Sequence, residues 1–199
     1  MKIVIFDLET RMGPRDLSPD DEKAGWDALR NGEGGISALA IFDMQEDWLY
    51  LYDDISINSA ASHIEDASVL VSFCGERFDV PCMEGVLGRK LRLKHHFDIY
   101  TEISKENARR GIKTYRGDFT LNAVCQRTLG YGKIGHGSNI GKLLQENRYG
   151  ELFNYCGHDV KLTRDLLRFI ISNGGVQGNN NTFLPVSVPD WISKLAVML

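Results

Sequence analysis

Residues 3–10 read IVIFDLET: an apolar run, Ile3 to Phe6, that ends in Asp7 and then Glu9. The run has the β-branched and aromatic content of a buried strand. Successive strand residues point to opposite faces, so Asp7 and Glu9 project together while Leu8 points away. Two carboxylates held that close repel, and burying them unpaired is costly. A positive charge is therefore expected between them.

Outward from this strand, the polar stretch 10–35 contains Ser18, Pro19 and Asp21, an N-cap pattern with proline and acids in the first turn. It predicts a short inserted helix near 19–31, stopped by Gly32. ISALAIFDM (36–44) and DWLYLYDD (47–54), separated by a turn at Gln45 and Glu46, read as a hairpin alongside the first strand. NSAASHIEDA (58–67) reads as a helix, SVLVSFCG (68–75) as a buried strand, and FDIY (97–100) as one more strand. From Thr101 onward strand signals fade. FTLNAVCQRTLG (119–130), SNIGKLLQENRYG (138–150) and ELFNYCGHDVKLTRDLLRFIISNG (151–174) are amphipathic helices with glycine stops. This order describes an α/β layered domain with a mixed sheet flanked by helices over residues 1–174. Residues 175–199 read as a flexible strap, rich in Gly, Asn and Pro, that closes on the apolar WISKLAVML.

A chain of 199 residues can bury roughly 70% of its unfolded surface in one domain. A formal net charge of −4 argues against a protein that coats nucleic acid through a basic surface, but not against local engagement through metal ions. The four cysteines, Cys74, Cys82, Cys125 and Cys156, form no C-x-x-C pair, as expected of reduced thiols in a cytoplasm. No apolar run approaches the roughly 18 residues of a membrane span. With a strand at the very start, no targeting peptide is expected. The spacings of His63, His95, His96, His136 and of Cys156 with His158 fit no structural zinc site.

Two further acids stand out by context. Asp79, in VSFCGERFDVP, follows the buried strand at a helix start, where backbone N–H groups can orient its carboxylate. Tyr155 and Asp159, in NYCGHDVKLTRDL, lie one turn apart on one face of a long helix. Four acids from three elements, all oxygen ligands, suit magnesium or manganese, and two such ions can clamp an in-line attack at phosphorus.

FDLET, FCGERFDVP and YCGHDVKLT resemble, in order, the three exonuclease motifs of the DEDD superfamily, and the tyrosine four residues before the last aspartate marks its DEDDy branch. The likeness covers about residues 1–172 and is strongest to the proofreading domain of family B DNA polymerases and its free-standing relatives; TLNAVCQRTLG adds to it. The resemblance implies an RNase H-like fold and a two-metal 3′→5′ exonuclease using Mg²⁺ or Mn²⁺. Asp7 would bridge both ions, Glu9 and Asp159 would complete one site, and Asp79 would hold the second ion through water. Tyr155 would orient the attacking water. The Thr10 backbone would contact the 3′ nucleotide, and Leu8 and Phe78 would wedge or stack against bases. The implied partners are single-stranded or frayed 3′ ends, DNA before RNA, and a polymerase or other replication or repair protein. One departure is visible: the second motif often carries Asn where this chain has Cys74.

Other readings stand beside these. An acid at a strand end is usually a turn or cap residue, and Tyr155 alone would be a core aromatic. Trp26 either stacks on a base or packs the inserted helix onto the domain. GYGKIG (130–135) matches G-x-G-x-x-G but follows a helix rather than a strand, so a solvated loop is expected, with Lys133 and His136 the residues able to meet phosphate. Arg11 and Arg15 are either phosphate contacts or surface arginines. VIFDLET also suggests a haloacid-dehalogenase-type phosphatase, but Glu9 stands where that chemistry uses a second Asp. The remaining alternative is a catalytically inactive exonuclease fold that binds nucleic acid or a protein partner.

Overall fold

In the computed structural model, which describes residues 2–115, 117–134, 140–190 and 192, the opening run is the central strand β1 (Ile3–Thr10) of a five-stranded sheet. β2 (Ile36–Asp43) and β3 (Trp48–Tyr52) extend one side as an antiparallel hairpin, and β4 (Val69–Ser72) and β5 (His96–Asp98) add in parallel on the other. The order β3-β2-β1-β4-β5 is the mixed sheet expected of an RNase H-like domain.

The alternation in β1 sorts the two cores. Val4, Phe6 and Leu8 pack with Leu39 and Ile41 of β2 beneath α2 (Glu22–Arg30), α3 (Ile57–Asp66) and α4 (Asp79–Leu87). Ile3 and Ile5 face the other way, with Ala38, Ala40 and Phe42. That core is covered by α5 (Ile99–Arg109), α6 (Leu121–Leu129) and the long α8 (Tyr149–Asn173), with α7 (Ile140–Gln145) beside it. Asp7 and Glu9 continue the Ile3–Ile5 row, so the sheet's period delivers both under α8. Gly157 of α8 faces β3, where a Cβ would lie 2.9 Å from Leu49 Cδ2, the movable end of that side chain.

Three local expectations change. The inserted helix is split into one turn, α1 (Pro14–Leu17), and α2. Asp21 is the N-cap of α2, its carboxylate accepting from the N–H groups of Lys23 and Ala24 at 3.0 and 3.1 Å, and Ser18 ends α1 instead. FDIY is strand only to Asp98, whose carboxylate accepts from Thr101 N–H at 2.8 Å and starts α5. Finally, residues 175–186 are not a loose strap. β6 (Gly175–Gln177) and β7 (Phe183–Pro185) pair as a small hairpin, and Val176, Leu184 and Val186 are buried in the α8 core. Ile192 is buried as well, and the rest of WISKLAVML lies outside the described residues. No described helix is long and apolar enough to cross a membrane.

Candidate active site

The acids of β1 meet the acid of α8 where the parallel strands end. Oxygen atoms of Asp7, Glu9 and Asp159 lie within 4.8 Å of one another. In the β1–β2 ladder Asp7 stands opposite Ala40 and Glu9 opposite Ala38, so small side chains flank the carboxylates and leave them room. The register shifts between Glu9 and Thr10, and such an irregularity beside a site re-aims the chain.

Asp79 reaches the same cleft from the first residue of α4, without joining the three-acid cluster. Its Oδ1 accepts from the Leu8 N–H at 3.4 Å, tying the second motif to the first. The turn before it is tight: Cys74 has φ +71°, a left-handed conformation costly for a residue with a Cβ. Asparagine tolerates that region far better, which gives a physical reason for the Asn often found in this motif. Gly75 is required because a Cβ there would stand 2.6 Å from Ser72. Behind the turn, buried Asp98 accepts from Ser72 Oγ at 2.7 Å and from Glu76 N–H at 3.2 Å. Sequence reading missed this brace because Asp98 looked like part of a strand.

Part of the positive charge that the opening stretch demands, expected there from metal ions, comes from the chain itself, opposite Asp159 rather than between Asp7 and Glu9. Lys133 Nζ donates to Asp159 Oδ2 at 2.5 Å and to the Tyr155 hydroxyl at 3.4 Å, and lies 5.4 Å from the Tyr155 ring centre. Residues 131–133 are pinned rather than freely solvated. Lys133 N–H donates to Asn122 Oδ1 at 2.9 Å, His158 Nε2 lies 3.1 Å from Gly132 O, and Tyr131 OH donates to Asp165 at 2.9 Å. The sequence marked Lys133 as able to meet phosphate but gave no sign of its ion pair with Asp159, because GYGKIG carries no pattern that points to α8. His136 lies outside the described residues.

The electrostatics follow from crowding. Burial first, then Asp79, Asp159 and Glu9, raise the Asp7 pKa well above the usual carboxylate range. Burial and Asp159 push Glu9 up to about 8, and burial pushes Asp79 up to about 7 against the Leu8 hydrogen bond. Burial also raises Asp159, though Lys133 opposes it. For Lys133, burial works against the charge, but Asp159 and Asp7 override it and raise its pKa. The Tyr155 phenol is pushed up to about 12 by burial and by Asp159.

One ammonium does not satisfy this cluster, since buried Asp159 Oδ1 has no hydrogen-bond partner among the described residues. An all-oxygen donor set with an orphaned carboxylate atom and proton affinities this high fits a hard divalent cation.

The cleft around these groups has a volume of about 890 Å³ and also takes in Leu8, Trp26, Arg30, Arg77, Phe78 and Tyr100. Phe78 packs edge-to-face on Trp26, centroids 5.4 Å apart, so Trp26 both seats α2 on the domain and forms cleft wall. Leu8 is 3% exposed and offers bases little surface. Thr10 is outside the cleft lining, its hydroxyl donating to Met12 O at 2.9 Å. Arg11 pairs with Asp54 and Arg15 with Glu22; the arginines that line the cleft are Arg30 and Arg77, which sequence reading did not single out.

Comparison with known proteins agrees with this architecture. Of solved structures, the family B DNA polymerase from the hyperthermophilic archaeon Pyrobaculum calidifontis is similar in fold, with a TM-score of 0.58 at 16% identity. The match covers 87% of this chain and 26% of the polymerase, so the chain spans about a quarter of that protein's length. No curated protein sequence matches. The RNase_H_2 family model matches residues 28–130, from α2 to the end of α6 and including Asp79. That match takes in more than half of the chain, which belongs to the RNase H superfamily.

Proposed function

We propose that this chain is a metal-dependent 3′→5′ exonuclease that releases nucleoside monophosphates from single-stranded or frayed 3′ ends, with DNA as the expected polymer. The observation that carries the reading is the convergence of Asp7, Glu9 and Asp159 within 4.8 Å at one end of a long cleft, with Asp79 on its wall. Two Mg²⁺ or Mn²⁺ ions held by these four carboxylates would supply the positive charge that offsets charge developing on the phosphoryl group.

The chain's own groups supply orientation. Tyr155 stays protonated at neutral pH, so its hydroxyl can donate to or align a water for attack on phosphorus. Water then adds to phosphorus as the bond to the upstream O3′ breaks, and that oxygen takes a proton. Asp79, fixed by the Leu8 N–H, keeps the second motif in register with β1. Phe78 and Trp26 form an aromatic wall on which terminal bases can rest. Lys133 holds Asp159 in place until cations load the cluster.

That lysine also supports a second reading, in which the ammonium takes the cation's place for good and the fold only binds nucleic acid or a partner. Labelled strands decide between them. In Mg²⁺ or Mn²⁺, a 3′-labelled single strand should free its label at once, a 5′-labelled one should shorten as a ladder, and Asp7→Ala should end both. Binding without hydrolysis in either ion, or undiminished turnover by Asp7→Ala, would refute the exonuclease.

A further inference from the structure

The cleft does not stop at the acids. One arm runs along α5 to residues 112–115 and 117–119, lined by Asn107, Ile112, Tyr115 and Phe119. Among the described residues no carboxylate lines this arm, in contrast to the metal end of the same cleft. Its floor is apolar, with Phe119 only 7% exposed. At its mouth stands Tyr115, 73% exposed, a large aromatic surface left in water.

Asn107 is the anomaly. The residue is 3% exposed, in the wall between the cleft and a second cavity of about 200 Å³ under the C-terminal hairpin, and its Oδ1 has no hydrogen-bond partner among the described residues. Its backbone carbonyl is spoken for, accepting from Ile112 N–H at 2.9 Å. A buried amide oxygen without a partner is destabilising, so its retention calls for something that meets it. An aromatic lip, an apolar floor and one amide able to donate and accept describe a site for a flat heterocycle with polar edges.

We propose that this arm is a nucleobase subsite of the cleft, in which Tyr115 stacks on an unpaired base near the 3′ end of the strand and the Asn107 amide hydrogen-bonds its edge. The proposal rests on the exonuclease reading for the identity of the strand. It deepens that reading by tying strand choice to one unpaired base: a paired base has its edge occupied and cannot enter. The amide plane turns over to present either atom, since the two ends are nearly isosteric.

The test is binding, measured in Ca²⁺ by fluorescence anisotropy, with a short 5′-labelled single-stranded DNA made abasic at each of its last four positions in turn. At one position the missing base should weaken wild-type binding about tenfold, the scale of one base–aromatic stack. In Tyr115→Ala, whose exposed side chain carries no fold, that positional loss should fall to about twofold or less. Asn107→Leu should weaken binding of the intact strand about three- to tenfold, the scale of one hydrogen bond. Its Tm without DNA should hold or rise, because the orphaned amide is gone. Positional losses identical in all three proteins, or an Asn107→Leu protein with lowered Tm and unchanged affinity, would overturn the subsite. A chain that binds with the positional loss yet releases no nucleotide in Mg²⁺ keeps the subsite and loses the hydrolytic reading. Normal release without a positional loss does the reverse.

Discussion

Replacing Lys133 with methionine keeps the stem and removes the charge. In the metal-free protein this strips Asp159, whose side chain is 1% exposed, of the ammonium paired with it, with Oδ1 lacking a hydrogen bond among the described residues. Breaking a fully buried pair costs about 3–5 kcal/mol, and Lys133 keeps a quarter of its side chain in solvent, so about 2–4 kcal/mol is the fitting range. For a domain of this length that lowers Tm by about 5–15 °C. The sign with pH follows from proton uptake. Without the ammonium the Asp159 pKa climbs, and the folded state holds a proton that the unfolded chain gives up near pH 4. The deficit therefore grows as pH rises above the ordinary carboxylate range. It should be larger at pH 8 than at pH 5, and saturating Mg²⁺ should shrink it, because a cation then faces the same oxygens. Metal affinity should rise, since an ammonium no longer competes. Thermal melts at both pH values, in EDTA and in Mg²⁺, read all of this. An equal loss in all four conditions would mean that the stem's packing, not its charge, is what the fold uses.

The wild-type protein in EDTA should itself lose stability between about pH 5 and pH 8. Glu9 and Asp79, raised to about 8 and about 7, keep protons that the unfolded chain has released, and Mg²⁺ should flatten the slope. A rise in Tm over that window without metal would contradict the crowding argument. Tyr155→Phe should cut the rate by ~10² or less with strand affinity unchanged, because on the proposed mechanism the phenol would orient water and carry no metal charge. A loss as complete as that of Asp7→Ala would refute this role. Cys74→Asn should raise stability by about 0.5–1 kcal/mol by relieving the left-handed strain at φ +71°, measured as a higher denaturation midpoint; a lower midpoint would show that the thiol's packing outweighs it.

Much of this architecture is written in periods. The alternation of β1 places Asp7 and Glu9 with Ile3 and Ile5 on the α8 side, and the single turn between Tyr155 and Asp159 aims both at one spot. What was hard to read was decided by single side chains choosing among nearby backbone donors. Asp21 took the N-cap that Ser18 could have held, and Asp98 turned a strand-like FDIY into the start of α5. The C-terminal hairpin was hidden for another reason: its Gly and Asn residues signal turns, while only Val176 and Leu184, two residues in a polar stretch, mark the face that is buried.

Lys133 was legible as a residue able to meet phosphate but not as the partner of Asp159, for a physical reason that bears on the whole site. Nothing local marks the pairing, because Asp159 is 26 residues away and the lysine's placement is set by Asn122 and His158 on two different helices. The charge arithmetic of the opening stretch required a cation, and from sequence that role fell to divalent metal. Acids delivered to one place by a sheet's period and a helix's turn cannot all ionise in a folded, metal-free chain unless a cation is built in. A single ammonium only partly does so, as the raised pKa values of Asp7 and Glu9 and the unpartnered Asp159 oxygen show. The cluster is thus short of positive charge. On the proposed function that shortfall would drive metal loading, and removing Lys133 should enlarge it.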